Sequence, residues 1–190
     1  MNRPEKEQFE HWAEKIWQSD RRAFDSLFRS MYSQLVNFAA TYTHEKSSAA
    51  DIVQDSFISL WQNRTSIDPG QSLKAYLYRI VRNRSLNYLR NRSSEIAQSD
   101  IIVEERLQTA EEVNSNEKAD ELSEKFSEWI EQLPERQQEA FELSRFEGLN
   151  HEEIASVMDV SPKTVNNHIV AALKQLRSLY EEYSGKSSHT

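Results

Sequence analysis

Side chains that can hydrogen-bond to bases and phosphates cluster in the last third of the chain, at Lys163, Thr164, Asn166, Asn167 and His168. An asparagine amide can bond to adenine at two positions, and a lysine can hold a phosphate oxygen. Ser161 and Pro162 precede the cluster, and this pair is typical of an N-cap followed by a first helical residue. Because no acidic side chain occurs from Pro162 to Arg177, the pattern predicts a helix face that meets DNA. The residues alone also allow a solvated polar face on an ordinary helical hairpin.

A second group of candidate residues lies between Leu73 and Arg92, where no acid occurs. Cations alternate there with tyrosines and asparagines: Lys74, Arg79, Arg82, Arg84, Arg90 and Arg92; Tyr76, Tyr78 and Tyr88; Asn83, Asn87 and Asn91. Cations follow a phosphate backbone, and aromatic rings stack on unpaired bases. The segment therefore predicts contact with nucleic acid. The alternative is a core helix whose arginines extend to solvent, and some of the tyrosines must be core in either case.

Two carboxylates, Asp51 and Asp55, are four residues apart and share one helix face, with Gln54 beside them. Such a pair could bind a metal, act as an acid and base, meet a basic partner, or simply be solvated. A metal is disfavoured because no histidine or third carboxylate stands nearby at ligand spacing. The polar loop from Arg64 to Gln71 follows, and it could receive a base extruded from the duplex.

The elements that would position these residues are all predicted helices. Apolar residues recur at three- and four-residue spacing, and no strand-like alternation of useful length occurs. Expected helices cover about 9–19, 21–43, 49–61, 73–91, a segment from 122, a segment from 134 that ends at Gly148, then 151–159 and a last helix from 161. We expect Phe146 and Leu173 to face the core, and the last two helices form a helix-turn-helix, whose second helix lies in the DNA major groove.

Composition predicts a soluble, highly charged protein of one or two small domains. The 190 residues carry a net charge of −8, with three glycines and no cysteine, so no disulfide or zinc-thiolate site is expected. No apolar run approaches the roughly 18 residues of a membrane span and no apolar leader is visible, so we expect a cytoplasmic protein without membrane insertion. We expect no cofactor.

The negative charge is concentrated between two neutral or basic regions. From Glu95 to Glu124 ten acids face only two cations. We therefore predict an all-α chain with two small helical domains, 9–92 and 122–179, joined by a flexible acidic linker, 93–121, and followed by a frayed polar tail, 180–190. Because the net charge is acidic, we expect weak DNA binding by the chain alone and a partner that supplies affinity.

Three motifs in order resemble the bacterial sigma factors of RNA polymerase, in the sigma-70 superfamily and its small extracytoplasmic-function (ECF) group. The segment from Asp51 to Trp61 is similar to their polymerase-binding helix, and the segment from Leu73 to Arg90 to their promoter-melting, minus-ten-reading helix. Leu133-Pro-Glu-Arg-Gln-Gln-Glu-Ala-Phe and the helix-turn-helix resemble their minus-thirty-five-reading domain. The resemblance covers about 21–92 and 122–177. It implies a non-enzymatic subunit that directs core RNA polymerase to promoter DNA and melts it.

The resemblance also implies roles for single residues. Core polymerase would be met by Asp51, Gln54 and Asp55, with Leu60 and Trp61 behind them. The loop from Arg64 would trap a flipped base. The downstream promoter element would be lined by Lys74, Arg79, Arg82, Asn83, Asn87 and Arg90, and the upstream element by Lys163, Thr164, Asn166, Asn167, Val170 and Lys174. Family members are often inhibited by an anti-sigma protein, which no residue here identifies, and residues 1–20 receive no role.

One departure from the family pattern concerns the last helix. Family members often carry arginine at the positions of Asn166, Asn167 or Ala171, so base contacts here should be few and DNA shape should matter more.

Three other classes of protein are alternatives to a sigma factor. The helix-turn-helix also resembles the output domain of response regulators, but no strands ending in acidic clusters precede it. No constellation of residues in the sequence supports an enzyme. A helical adaptor that only binds other proteins is the third alternative.

Overall fold

The computed structural model describes residues 6–68, 70–98 and 117–187. The chain divides into two compact units, one on each side of residue 108. All regular structure in the described ranges is helical, as the sequence predicts. No helix in those ranges is long and apolar enough to cross a bilayer.

The described residues of the first unit form four helices and one 3-10 turn. In chain order they are α1 (Lys6–Trp17), α2 (Arg21–Thr43), α3 (Lys46–Gln62), a 3-10 turn (Arg64–Ser66) and α4 (Leu73–Gln98). The side chain of Asp20 starts α2, because its Oδ1 accepts the backbone N–H groups of Arg22 at 2.8 Å and Ala23 at 3.3 Å. His44, at φ 53°, ends α2 in the left-handed region.

Helix α4 is the central element of the first unit and packs against α1, α2 and α3. Its buried face includes Tyr78 and Leu77, both fully inaccessible to solvent. Tyr78 stacks edge-on against Phe38 of α2, with ring centroids 5.0 Å apart. Tyr88 reaches the start of α3, where its hydroxyl accepts from Ser48 Oγ at 3.0 Å. Two of the three tyrosines of this helix are therefore engaged in packing or in holding α3.

The second unit contains α5 (Glu117–Glu131), α6 (Glu135–Arg145), α7 (His151–Met158) and α8 (Pro162–Ser187). Asn150 and Glu153 form a reciprocal capping box that begins α7. Asp159, at φ 56°, ends α7, and Ser161 Oγ accepts the backbone N–H of Thr164 at 3.1 Å to begin α8. The predicted helix-turn-helix is confirmed in these two helices. One apolar cluster in the core of the unit consists of Trp129, Ile130, Leu133, Phe141, Ala172 and Leu176.

Several predicted boundaries are corrected. Helix α1 begins at Lys6 and ends at Trp17, before a left-handed Ser19 (φ 67°). Residues 93–98 continue α4 and 117–121 belong to α5, so both ends of the predicted linker are helical, and its middle, 99–116, lies outside the described residues. Helix α8 continues to Ser187, so residues 180–187 of the predicted tail are helical.

Contacts with α5 explain why α8 does not end near Tyr180. The Tyr183 hydroxyl donates to Glu121 Oε1 at 3.1 Å, and the Tyr183 ring lies 5.7 Å from the Trp129 ring in a T-shaped contact. The Tyr183 ring thus packs this part of the helix against α5, which offsets its low apolar content.

Two residues predicted to face the core are exposed. Leu173 is 52% exposed because the buried stripe of α8 runs through Val165, Ala172 and Leu176, and Leu173 is one position, about 100°, away from it. Phe146 is 40% exposed because it follows the last turn of α6, and its ring packs edge-on against Phe141 at 6.1 Å. The prediction for Leu173 followed the three- and four-residue spacing of apolar residues but chose the wrong phase.

Candidate nucleic-acid interface

The start of α8 presents the predicted cluster on one open face. Exposed side chains occur at Lys163, Asn166, Asn167, Val170 and Lys174, at intervals that return to the same side of the helix every turn. Val170 is 55% exposed. The opposite stripe packs on α6 and α7, which fixes the direction of this face. Amide donors and acceptors, two cations and one apolar side chain therefore stand together where a groove could receive them.

Thr164 serves the cap of α8 rather than the open face. Its hydroxyl lies 2.8 Å from Ser161 Oγ and its backbone N–H donates to the same oxygen. Thr164 is only partly exposed. Its place in the predicted DNA set thus coincides with a structural role in starting the helix.

The open stripe of α4 carries Arg79, Asn83, Asn87 and Arg90, at intervals of four, four and three residues. Asn83, Asn87 and Arg90 are exposed, whereas Arg79 is partly buried. The Arg79 guanidinium lies 5.5 Å from the centroid of the Tyr76 ring. This cation–π contact holds the Arg79 side chain against its own helix, and the side chain stays partly exposed. The stripe can follow a phosphate backbone and offer amides to bases.

Arg82 is a correction to the predicted DNA-binding set. It is only 4% exposed, on the same side of α4 as the buried Tyr78 and Ser85. Four residues separate Arg82 from Tyr78 and three from Ser85, so helical phase turns its side chain into the bundle. A guanidinium in that position serves the interior of the unit, not a nucleic acid.

Arg84 is half exposed but is directed toward α3, away from the open stripe. Its Nη1 lies 3.7 Å from Asp55 Oδ2, and both side chains keep solvent access. An exposed ion pair of this kind contributes little stability. It nevertheless places a cation beside one of the two aspartates of α3.

The predicted polar face of α3 is present, but the two apolar residues expected behind it are not surface groups. Asp51, Gln54 and Asp55 are exposed, and Ile58, 53% exposed, extends the same face by one turn. Leu60 is fully buried, so its assignment to a partner-binding surface is corrected: it packs inside the unit.

Trp61 is half buried at the end of α3. Its ring lies 5.1 Å from that of Phe24 on α2 and beneath the guanidinium of Arg64, whose carbon is 4.6 Å from the ring centroid. Trp61 is thus held from both sides and has only an edge to offer a partner. Among the described residues no group of histidines and carboxylates is arranged to hold a metal ion.

The loop after α3 is more ordered than its composition indicates. It begins with the 3-10 turn, and Ile67 is buried at 9% exposure, which anchors the loop in the core. Asp68 Oδ1 accepts the Gly70 backbone N–H at 2.8 Å. Arg64, predicted to contact DNA, donates through Nε to Ser19 Oγ at 2.9 Å and through Nη1 to the Trp61 carbonyl at 2.7 Å.

Two carboxyl groups have displaced pKa values, one in each unit. Hydrogen bonds from Ser47 and Ser48 hold the pKa of Glu45 below its ordinary value at the start of α3. In the second unit, burial raises the pKa of Glu142 on α6, and the carboxylates of Glu139 and Glu147 raise it further. Neither group lies on the open faces of α4 or α8.

Comparison with known proteins identifies the family of this two-unit arrangement. The model of sigma-70 region 2 matches residues 27–95 and the model of sigma-70 region 4 matches 123–176. The RNA polymerase sigma-H factor of Pseudomonas aeruginosa is 30% identical over 174 residues, which cover 87% of this chain and 90% of that protein. The chain belongs to the sigma-70 family.

Further relatives place the sigma factor in the ECF group. The ECF RNA polymerase sigma factor SigM of Bacillus subtilis is 25% identical over 156 residues, covering 82% of this chain and 94% of SigM. Solved structures share the fold. The sigma factor RpoE in complex with the anti-sigma factor NepR, from Bartonella quintana, superposes with a TM-score of 0.67 at 24% identity over 83% of this chain and 96% of that one.

A second solved structure, CnrH in complex with the cytosolic domain of CnrY, superposes with a TM-score of 0.63. The identity is 21%, with 92% of this sigma factor and 98% of CnrH covered. The family identification makes the sigma factor a protein of transcription initiation, with a DNA-binding region 4 in its second unit. The region 2 match runs from residue 27 to residue 95, so helix α1 lies before it in the chain.

Sequence reasoning missed several surface residues of the sigma factor. Ile58 and Leu173 were assigned no surface role, although each is more than half exposed. Ile58 could have been found from spacing, because it follows Gln54 by four residues and Asp55 by three. Leu122, Phe126 and Phe146 also expose apolar surface on the second unit, which no pattern in a single sequence distinguishes from core.

Proposed function

We propose that this sigma factor docks on core RNA polymerase through the open face of α3 and holds promoter DNA at two separate places. The observation that carries the proposal is that the open faces of α4 and α8 occur in different compact units. Each face has few cations, and the chain is acidic overall. Two weak grips on DNA gain affinity when a large partner holds both, because the second contact forms at high effective concentration.

DNA binding with and without polymerase tests this proposal. We expect a gel-shift with the isolated chain to show no promoter preference, and the chain plus core polymerase to form a specific complex. The promoter is first obtained by run-off transcription on genomic fragments. Strong promoter-specific binding by the isolated chain would contradict the need for a partner.

The docking face consists of Asp51, Gln54, Asp55 and Ile58, which would meet a basic, partly apolar surface of polymerase. Asp51→Arg is the sharper charge reversal, since a reversed Asp55 would stand beside Arg84 and could disturb the bundle. We expect Asp51→Arg to reduce capture of core polymerase by about tenfold while the helical content is unchanged. The matched control is Glu7→Arg on the exposed side of α1. Equal capture by both variants would place the docking face elsewhere.

The two DNA faces would divide the promoter between them. The α4 stripe, Arg79, Asn83, Asn87 and Arg90, would follow the downstream element, with Lys74 near its start. The α8 face, from Lys163 to Lys174, would enter the major groove of the upstream element. The loop that starts at Arg64 would take a base flipped from the opened strand. The chain would act by binding alone and perform no bond chemistry.

The proposal also includes a regulatory protein that binds this sigma factor. The solved neighbours RpoE and CnrH are complexes with NepR and with the cytosolic domain of CnrY. This chain offers exposed apolar side chains at Leu122, Phe126 and Phe146, outside the α8 face. An inhibitor bound there would act in the cytoplasm, where polymerase works. An inhibitor of run-off transcription should lose potency against Phe126→Ser but not against Glu124→Ser, and equal potency would remove this surface from the proposal.

A further inference from the structure

The first helix, which precedes the family match and received no role from the sequence, contacts the loop after α3 at both of its ends. Phe9, Trp12, Ala13 and Ile16 are buried, so α1 is fixed to the unit by its own apolar face. It packs against α2, α4 and the 3-10 turn. A helix that is buried in this way provides a rigid support for whatever it touches.

The contact at the beginning of the loop is made by Arg64. Its Nε donates to Ser19 Oγ at 2.9 Å, across 45 residues of sequence, and its Nη1 donates to the Trp61 carbonyl at 2.7 Å. The guanidinium also lies over the Trp61 ring. One planar side chain thus joins the end of α3 to the turn between α1 and α2, and the fork of donors fixes its orientation.

The contact beyond the end of the loop is made by Lys74. Its Nζ lies 5.7 Å from the centroid of the Phe9 ring, on the face of α1. Ile67, between the two contacts, is buried in the core. The described part of the loop is therefore held at its start, at its middle and just after its end, while Thr65, Ser66 and Asp68 remain exposed.

We propose that α1 and the α1–α2 turn are a positioning device for the base-capturing loop, with Ser19 and Arg64 as its positioning residues. The inference rests on the proposed role of that loop. Base capture requires the exposed loop atoms to stand in a fixed place before the strand arrives, since a loop that must first be ordered loses binding energy. The contacts of Arg64 with Ser19 and of Lys74 with Phe9 supply this order.

Ser19 offers an unusually clean test because its backbone is left-handed, at φ 67°. Ser19→Gly removes the hydroxyl and relaxes the backbone, since glycine prefers that region at no steric cost. Ser19→Asn keeps an acceptor for Arg64, and asparagine tolerates the left-handed region better than most residues. The glycine variant should fold at least as well as the original chain, so a loss of function would not come from unfolding.

The experiment places a photocrosslinker, benzoylphenylalanine, at the exposed Ser66 in holoenzyme on a run-off-defined promoter. We expect a crosslink to the opened non-template strand with Ser19, about fivefold lower yield with Ser19→Gly, and recovery with Ser19→Asn. Permanganate reactivity of the melted thymines should follow the same order, while capture of core polymerase stays equal.

The outcomes separate the inference from the proposed function. No crosslink with the original Ser19 would overturn the role of the loop, and the positioning role with it. A crosslink of equal yield in Ser19 and Ser19→Gly would leave the loop role standing and overturn the positioning role alone. Loss in both Ser19→Gly and Ser19→Asn would also overturn it, because the acceptor for Arg64 would then be irrelevant.

Discussion

Helices α4 and α8 carry similar polar residues, yet the structure positions those residues differently. In α4 four of the cations are engaged with neighbouring side chains or buried: Arg79 lies against Tyr76, Lys74 against Phe9, Arg84 beside Asp55, and Arg82 is buried, whereas Arg90 and Arg92 are exposed. In the first half of α8 the amides and Lys163 are exposed. The difference follows from which residues lie on the open stripe of each helix, because both helices pack on three others: α4 on α1, α2 and α3, and α8 on α5, α6 and α7.

This comparison teaches that composition alone does not assign a cation to DNA. A helix in the middle of a bundle has a narrow open stripe, and any cation outside that stripe must serve packing or a neighbouring helix. The early turns of α8 instead carry Lys163, Asn166 and Asn167 at exposed positions. The DNA affinity of the first unit should therefore depend on few residues, and that of the second on the amides of one face.

The largest expected effect is on stability, and it comes from replacing Arg82, the buried cation of α4. Arg82→Ala should lower the free energy of unfolding by about 2 kcal/mol, because it removes a buried side chain and leaves interior polar groups without their partner. Arg79 lies on the open stripe, one turn from Arg82. Arg79→Ala should change the free energy of unfolding by less than about 0.5 kcal/mol, and it should weaken DNA binding instead. Urea unfolding of the full chain and promoter binding by holoenzyme measure the two effects. A stable Arg82→Ala chain with weak DNA binding would return Arg82 to the DNA set.

The next effect concerns the amides of α8. Asn166→Ala should weaken the promoter complex of the holoenzyme by about 5- to 100-fold, if Asn166 makes the two bonds that an asparagine can form with adenine. Competition between the selected promoter and variants of its upstream element should show relaxed preference at one position. Gln175→Ala, on the part of α8 that bonds to the Gln132 carbonyl, is the control and should leave that preference unchanged. An unchanged preference in Asn166→Ala would mean that this amide reads no base.

A smaller effect distinguishes apolar from polar recognition on the same helix. Val170 is exposed beside two asparagines, and an apolar side chain in the major groove meets the thymine methyl group. Replacing thymine by uracil in the upstream element should cost about fourfold in affinity, the value of one buried methyl group. With Val170→Ala the same replacement should cost little, so the two changes should not add. Additive losses would show that Val170 and the methyl group are not in contact.

The sequence predicts the elements of both units well, because long amphipathic helices and the capping residue Ser161 are local features. It also predicts most of the exposed residues on the open stripes of α4 and α8. It fails where the outcome depends on a distant partner. The burial of Arg82, the Arg64–Ser19 bond and the extension of α8 past Tyr180 all require contacts between segments far apart in sequence.

Phase errors form a second kind of failure. Leu173 and Phe146 are apolar and were placed in the core, but one is 100° from the buried stripe and the other follows the end of its helix. A single sequence gives the period of a helix more reliably than its phase when apolar residues stand at adjacent positions. Ala172 and Leu173 are such a pair, and the smaller residue is the one that the bundle buries.

The smallest expected effect concerns the buried ionisable side chains of the two units and the pH dependence of stability. The first unit buries a cation, Arg82, whereas the second holds a largely buried carboxyl group, Glu142. Burial and neighbouring carboxylates raise the pKa of Glu142 in the folded chain. A raised folded pKa means that the stabilising contribution of this group is complete below the pKa of the unfolded chain and is lost as the pH rises through the folded pKa.

Glu142→Gln should therefore stabilise the second unit at neutral pH, because it removes a poorly solvated charge and keeps an acceptor for Gln138 Nε2, now 2.9 Å from Glu142 Oε1. The advantage should shrink as the pH falls and Glu142 itself becomes neutral. Glu124→Gln removes the same charge from the exposed side of α5 and should show no such convergence. Thermal unfolding across acidic to neutral pH measures both variants. A gain that increased toward acidic pH would have the wrong sign, and it would mean that the ionised carboxylate of Glu142 stabilises the second unit.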